Sequence, residues 1–272
     1  MLSQSAPLAV VAVAMTLVMV TRGFDLSVGA LYATGATVYA SLACLGWSLP
    51  LAAAVTVLVG VIGGMVNAFL ITRLNVNAFV TTLGTTSTFS GLALIYSRSS
   101  PFVVGNPEFT ILGRGSIFGM PYSILIMLAF FFAGQFVLSK TVYGRSLYAI
   151  GGNEEAARLA GIRTALLRGS TYVICSASAA VAGMIMASRV SIGQADIGGS
   201  MALDAIAVVV IGGTSLQGGS GAIWRTGVGL LIVATLSNLL DSLAVDANYQ
   251  LVIKGAIVVG AVALDAITHK RR

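Results

Sequence analysis

The sequence predicts an all-α fold, a polytopic integral membrane helical bundle of about 8–10 transmembrane helices, some broken or re-entrant. Three observations carry this. Of the 272 residues, 57% are hydrophobic and 9% are charged, whereas soluble domains carry about 25% charged residues. Apolar runs of about 20 residues recur, the length needed to cross about 30 Å of hydrocarbon. Those runs do not alternate, which excludes the segments of roughly ten residues that build a membrane barrel.

The runs fall at 6–21, 28–46, 51–72, 79–96, 122–139, 169–189, 201–213, 222–240 and 249–267. The run at 201–213 is short and reads as half a helix or a re-entrant piece. Gly is frequent at 32 residues and Pro scarce at 5, a balance that suits closely packed membrane helices. Gly60 and Gly64 form a Gly-xxx-Gly pair of the kind that lets two helix backbones approach. The chain 1–272 reads as a single transmembrane domain.

The net charge is +6. The excess of basic residues on the inner side of membrane proteins explains it, and no nucleic acid partner is needed. With the polar loop 140–168 in the cytoplasm, alternation puts Arg22, Arg73, Lys140, Arg145, Arg158, Arg163, Arg168, Arg225, Lys270, Arg271 and Arg272 inside. Arg98, Arg114, Arg189 and Lys254 then lie outside, so eleven of the 15 basic residues are inside. The expectation is a multi-pass protein of a bacterial inner membrane with a cytoplasmic C-terminus. Alternation also puts Met1 outside, which predicts one further N-terminal helix upstream. The longest outside loop, 97–121, reads as a cap over the mouth of a pathway or a contact for an external partner.

The 140–168 loop contains a short helix. Asn153 is an N-cap, because its side-chain oxygen can accept from the free N–H groups of the first turn. Glu154 and Glu155 sit where the helix dipole favours negative charge. Ala156, Ala157, Leu159 and Ala160 supply helix propensity, and Gly161 is placed as the residue after the C-cap. A two-turn helix that begins and ends in a polar loop does not span a membrane; it presents a surface to another protein. Gly151, Gly152 and Gly161 let it lie along the membrane plane, and Arg158 is placed to meet acidic groups or carbonyls of a partner.

Polar residues in or beside the apolar runs are candidates for a pathway or gate. Asp25, in Gly23-Phe-Asp-Leu-Ser-Val-Gly29, reads first as a cap at the membrane surface and second as a gate. Asp204 opens an apolar run; a carboxylate costs roughly 2.5–3.5 kcal/mol at the bilayer centre and much less near its edge. Thr82 and Thr85 belong to a hydroxyl-rich stripe that can bond its own helix carbonyls or a sugar. Asn67, Gln135, Asn238 and Asp241 offer similar groups, more often used to join helices. Cys44 and Cys175 lie in apolar runs and read as small buried hydrophobes. No metal site, catalytic triad or nucleotide motif is written here. The run Gly212-Gly-Thr-Ser-Leu-Gln-Gly-Gly-Ser-Gly221 lacks the Gly-Lys-Ser/Thr of a phosphate loop and reads as a turn between two spans. Energy for transport must then come from outside this chain.

Four runs together carry a resemblance across nearly the whole sequence. They are Gly23–Gly29, Phe79-Val-Thr-Thr-Leu-Gly-Thr85, Tyr143-Gly-Arg with Gly151–Ile162, and Leu203-Asp-Ala-Ile-Ala-Val-Val-Val-Ile-Gly-Gly-Thr-Ser-Leu-Gln-Gly-Gly219. In this order they resemble the permease subunits of bacterial ABC importers for monosaccharides, the ribose/xylose/arabinose/galactose type. The resemblance implies a non-catalytic subunit without cofactors of its own, with ATP and Mg on a partner ATPase. It implies a cytoplasmic ABC ATPase docked on Gly151–Gly161, a periplasmic sugar-binding protein, and a second permease subunit in a homodimer. It also implies one more helix before 6–21, and Gly-Gly-Ile where this chain has Arg22-Gly23-Phe24. Permeases for nucleosides or branched-chain amino acids share this architecture and remain the nearer alternative. An ion-coupled secondary transporter is the more distant one, since it would favour carboxylates within the spans.

Overall fold

The computed structural model describes residues 2–246, 248–253, 255–257 and 259–260. Among the described residues, six helices are long and apolar enough to cross a membrane: α1 (Leu2–Val20), α3 (Leu49–Thr72), α4 (Ala78–Ser97), α6 (Tyr122–Lys140), α9 (Thr164–Val190) and α11 (Ile223–Ser242). Two apolar helices are shorter, α2 (Val28–Cys44) and α10 (Met201–Ile211). Between them lie α5 (Ile111–Arg114), α7 (Val142–Gly152) and α8 (Glu154–Leu159). Of the expected run at 249–267, positions 254, 258 and 261–267 lie outside the described residues.

On α3, burial is inverted relative to a water-soluble bundle. The buried stripe of α3 is Ala52, Thr56, Gly60, Gly63, Gly64, Asn67 and Ile71, spaced three and four apart. Its opposite face exposes Leu58, Ile62, Met65 and Phe69. Lipid tails are as apolar as these side chains, so nothing drives large hydrophobes inward; small residues go inside because they allow backbones to approach. The Gly60–Gly64 pair does this against α9. A Cβ on Gly64 would lie 2.5 Å from the Val173 Cα, and one on Gly60 would lie 2.9 Å from the Ser176 carbonyl oxygen. Helix α9 is the spine, packing against α1, α2 and α3. Helix α1 is buried almost all round from Ala6 to Val20, so it is an inner helix.

The run at 201–213 does form a piece too short to span. At 1.5 Å per residue, α10 is about 16 Å long, and nearly every residue from Ala202 to Val210 is buried. Irregular backbone precedes it at 194–200. Such backbone is tolerated at membrane depth only where protein covers it, and here Gly198 stacks on Gly29 of α2.

Several basic residues cluster at the two ends of the bundle. Arg22, Arg73, Arg158, Arg163 and Arg168 gather around α8 and line its neighbouring cavities. Arg114 and Arg189 meet at the opposite end, where the Arg114 Nε donates to the Arg189 carbonyl at 2.5 Å. At that end the 97–121 loop folds onto its own chain. Strand β1 (Phe102–Val103) pairs antiparallel with Ile192–Gly193, β4, while the hairpin strands β2 (Ser116–Ile117) and β3 (Met120–Pro121) pair with each other. Phe109 is fully buried and stacks on Tyr39 at 4.8 Å.

Two expectations need correction. Cys44 is exposed, because α2 ends there at the rim; Cys175 alone is buried. Asp25 is not a surface cap: it is fully buried, because the turn after α1 folds inward beneath α9.

The packing argument separates two glycines. Gly64→Ala should destabilise the purified protein by about 1–3 kcal/mol through overpacking. Gly84→Ala, where a Cβ meets nothing within 4 Å, should be neutral or slightly stabilising through helix propensity. Thermal unfolding in detergent checks both; equal midpoints would contradict the α3–α9 contact.

Candidate functional site

The polar loop forms the expected short helix, built by capping at both ends. Asn153 adopts extended backbone (φ −156°, ψ 105°), and its side-chain oxygen accepts from the Ala156 N–H at 3.0 Å. Glu154 and Glu155 occupy the first turn and Arg158 the last, as the dipole favours. Gly161 takes φ +82°. Its N–H donates to the Arg158 carbonyl, and the Ile162 N–H to the Ala157 carbonyl, each at 3.0 Å. This pair of bonds is the Schellman stop, in which glycine avoids the Cβ penalty of left-handed backbone.

One face of α8 is held and the other is offered. Ala157 is buried, whereas Leu159 is 81% exposed. Arg158 and Glu155 pair at 2.6 Å with both side chains mostly in solvent. Glu154 reaches back to Arg168 at 3.2 Å, the guanidinium being more covered than the carboxylate. A polar cavity of about 350 Å³ lies between α8 and the end of α3, lined by Thr72, Asn75, Glu154, Arg158 and Arg168.

Gly151 and Gly152 have a role beyond orientation. A side chain on Gly151 would collide with the Val20 carbonyl and the Gly219 backbone. Their carbonyls, left free at the end of α7, accept from Arg22: Nε to Gly151 at 2.6 Å and Nη2 to Gly152 at 2.7 Å. The 212–221 turn is the third member of this junction. The Gly219 N–H donates to the Val20 carbonyl at 2.9 Å, and the Tyr148 hydroxyl to the Gly221 carbonyl at 2.6 Å.

Beneath this junction lies a buried chain of polar side chains. Asp25 Oδ1 accepts from the Ser27 N–H at 3.0 Å and the Ser27 Oγ at 2.6 Å. Asn67 Nδ2 of α3 donates to Ser27 Oγ at 2.7 Å, and Thr85 Oγ1 of α4 donates to Asn67 Oδ1 at 2.7 Å. Thr82 bonds back to the Ala78 carbonyl at 2.8 Å. Burial pushes the Asp25 carboxyl up to about 6, against the Ser27 hydrogen bonds that hold it down. Its second oxygen, the Tyr172 hydroxyl and Arg168 Nε are buried without a hydrogen-bond partner among the described residues, a condition that costs about 1–3 kcal/mol per group.

The other candidates stand apart. Asp204 is half-buried in the first turn of α10, and Asn238 is exposed on α11. Gln135 accepts from the Trp224 N–H at 3.2 Å, joining α6 to the start of α11. Sequence reasoning missed Tyr172 and Ser27 as members of the buried chain. Ser27 lay inside the quoted Gly23–Gly29 run; Tyr172, one aromatic in an apolar helix, carried no signal of its own.

Helices long and apolar enough to cross a membrane, with a short capped helix in the polar loop between two of them, define a multi-pass membrane protein. The sequence model of the family described as "Branched-chain amino acid transport system / permease component" matches residues 1–262. The ribose import permease protein of Bacillus subtilis is 41% identical over 267 residues, 97% of this chain and 83% of its own length. The Escherichia coli K12 ribose import permease protein is 38% identical over 268 residues, covering 97% and 84%. The L-arabinose transport system permease protein of the same strain is 36% identical over 262 residues, covering 96% and 80%. No solved structure matches the chain. The chain belongs to this family of ABC-transporter permeases, and is a multi-pass membrane transport subunit.

Removing the N-cap tests the site's construction. Asn153→Ala should cost about 1 kcal/mol of local helix stability. Amide hydrogen exchange within Glu154–Leu159 should then speed up by about fivefold, with the exchange of α9 unchanged. Unaltered exchange would show that the cap does not hold the helix.

Proposed function

We propose that this chain is the permease of an ATP-driven importer and forms the path for a pentose, ribose in the first instance, delivered by a periplasmic binding protein. The observation that carries the sugar is the similarity to ribose import permeases over 97% of this chain. A cytoplasmic ABC ATPase docks on α8, with Leu159 as its apolar contact and Glu155 and Arg158 as its polar ones. ATP and Mg²⁺ are held by that ATPase, and this chain takes no cofactor. A second copy completes the path, meeting the first through apolar helix faces that otherwise face lipid. The loop around α8 and the C-terminus lie in the cytoplasm. Asp25, Thr82 and Thr85 act in the gate through the buried polar chain, while Asp204 and Asn238, which keep exposed surface, face the path.

A second reading takes branched-chain amino acids, which the family's description names. Uptake by cells expressing this chain with its partner ATPase and binding protein discriminates. Ribose should be accumulated and leucine should not; the reverse result would transfer the reading to amino acids.

Docking and orientation have their own tests. Gly161→Pro removes the N–H that bonds the Arg158 carbonyl and fixes φ near −65°, against the left-handed value needed. It should cut ATPase co-purification at least tenfold while membrane insertion holds. Arg158→Glu should weaken it several-fold by reversing a contact charge. Unchanged binding in both would refute docking on α8. With Cys44 and Cys175 replaced, a single cysteine at Asn106 should react with an impermeant maleimide in cells whose outer membrane is permeabilised. One at Asn153 should not react, and labelling there would invert the orientation.

A further inference from the structure

We propose that the α1–α2 turn, residues 21–27, transmits movement of α8 into helices α3 and α4, with Arg22 as the positioning residue that ties it to α8. The inference rests on α8 being the docking element, and it assigns the step from that element into the membrane.

The turn is bonded on both sides. Towards α8, Arg22 holds a left-handed backbone (φ 61°), uncommon for a residue with a Cβ. That conformation accompanies a guanidinium aimed back at the end of α7. Its two bonds, at 2.6 and 2.7 Å, take the carbonyls of Gly151 and Gly152, the last before the Asn153 cap. A cation there answers free carbonyls at a helix C-terminus. Gly151 is pressed against the Val20 carbonyl with no space for a Cβ, so α8 cannot shift without moving the end of α1. A second tie runs from Glu154 to Arg168. The Tyr172 hydroxyl, one turn along α9 from Arg168, lies 2.5 Å from where a Cβ on Gly23 would sit.

Towards the membrane, the same turn holds α3 and α4. Asp25 fixes Ser27, Ser27 accepts from Asn67 of α3, and Asn67 accepts from Thr85 of α4. Asp25, Ser27 and Asn67 are fully buried, so these bonds have no competing water and set the position of both helices. Asp25 Oδ2, buried without a hydrogen-bond partner among the described residues, borders the turn, so a displacement that brought a donor to it would add a bond, as a two-state element requires.

The test uses the complex with its partner ATPase in nanodiscs. Spin labels at Leu83 of α4 and Phe132 of α6, both exposed, report the distance between these helices with and without trapping by Mg-ATP and vanadate. The parent complex should show a distance shift on trapping. Arg22→Ala and Asn67→Leu should abolish it while ATPase co-purification and ATP hydrolysis stay within about twofold of the parent. Arg22→Lys, which keeps a donor, should restore at least half of the shift. If Asn67→Leu does not fold, Thr85→Val removes one hydroxyl of the same chain and decides. A parent without a shift, or variants that shift like the parent, would overturn the proposal, and so would loss of ATPase binding in Arg22→Ala. An ATPase that binds Gly161→Pro normally would refute docking on α8 alone, because the shift is read on the assembled complex.

Discussion

The fold depends on close backbone approach along α9. Lipid offers no hydrophobic drive between helices, so stability must come from dispersion contacts and from polar bonds that the hydrocarbon cannot supply. Gly60 and Gly64 of α3, Gly35 of α2 and Gly183 of α9 each place one backbone against another with no space for a methyl group. With these contacts made, the short α10 and the irregular backbone before it can be covered by protein. Without them, unpaired carbonyls at membrane depth would face lipid.

Much of this was legible in the sequence, for identifiable reasons. Helices α1, α3, α4, α6, α9 and α11 follow from apolar length alone, and the Gly-xxx-Gly pair marks a real contact. The helix at Glu154–Leu159 was legible from cap to stop, because capping is local chemistry between residues at most six apart. What was hidden was non-local. Nothing near Arg22 says that its guanidinium closes the end of a helix some 130 residues later in the chain. Asp25 looked like a surface cap because its neighbours are glycine and serine, which serve caps and tight buried turns equally well. Cys44 looked buried because its run is apolar, but the run ends at the rim. The hydroxyl stripe of α4 divides its partners: Thr82 bonds its own helix, as hydroxyls in helices commonly do, while Thr85 bonds Asn67 across to α3.

The end of the bundle near α8 differs in kind from the opposite end. There, three separated segments, 20–22, 151–153 and 218–219, meet through close main-chain contacts, with Arg22 bonding the Gly151 and Gly152 carbonyls. At the opposite end the 97–121 loop is fastened by short strand pairing, a buried phenylalanine and the Ser188 hydroxyl, which donates to the Phe109 carbonyl at 2.5 Å.

The exposure of Cys44 has a practical side. Cys175 is sealed within the bundle, so the chain carries a single exposed thiol among its described residues, at the rim remote from α8. A fluorophore could be attached there without engineering, to follow events at that mouth while the distant contacts of α8 stay unmodified. The same thiol is a liability during purification. In air, an exposed thiol on one molecule can oxidise with that of another to a disulfide, and a covalent pair on a denaturing gel would then reflect handling chemistry rather than native assembly.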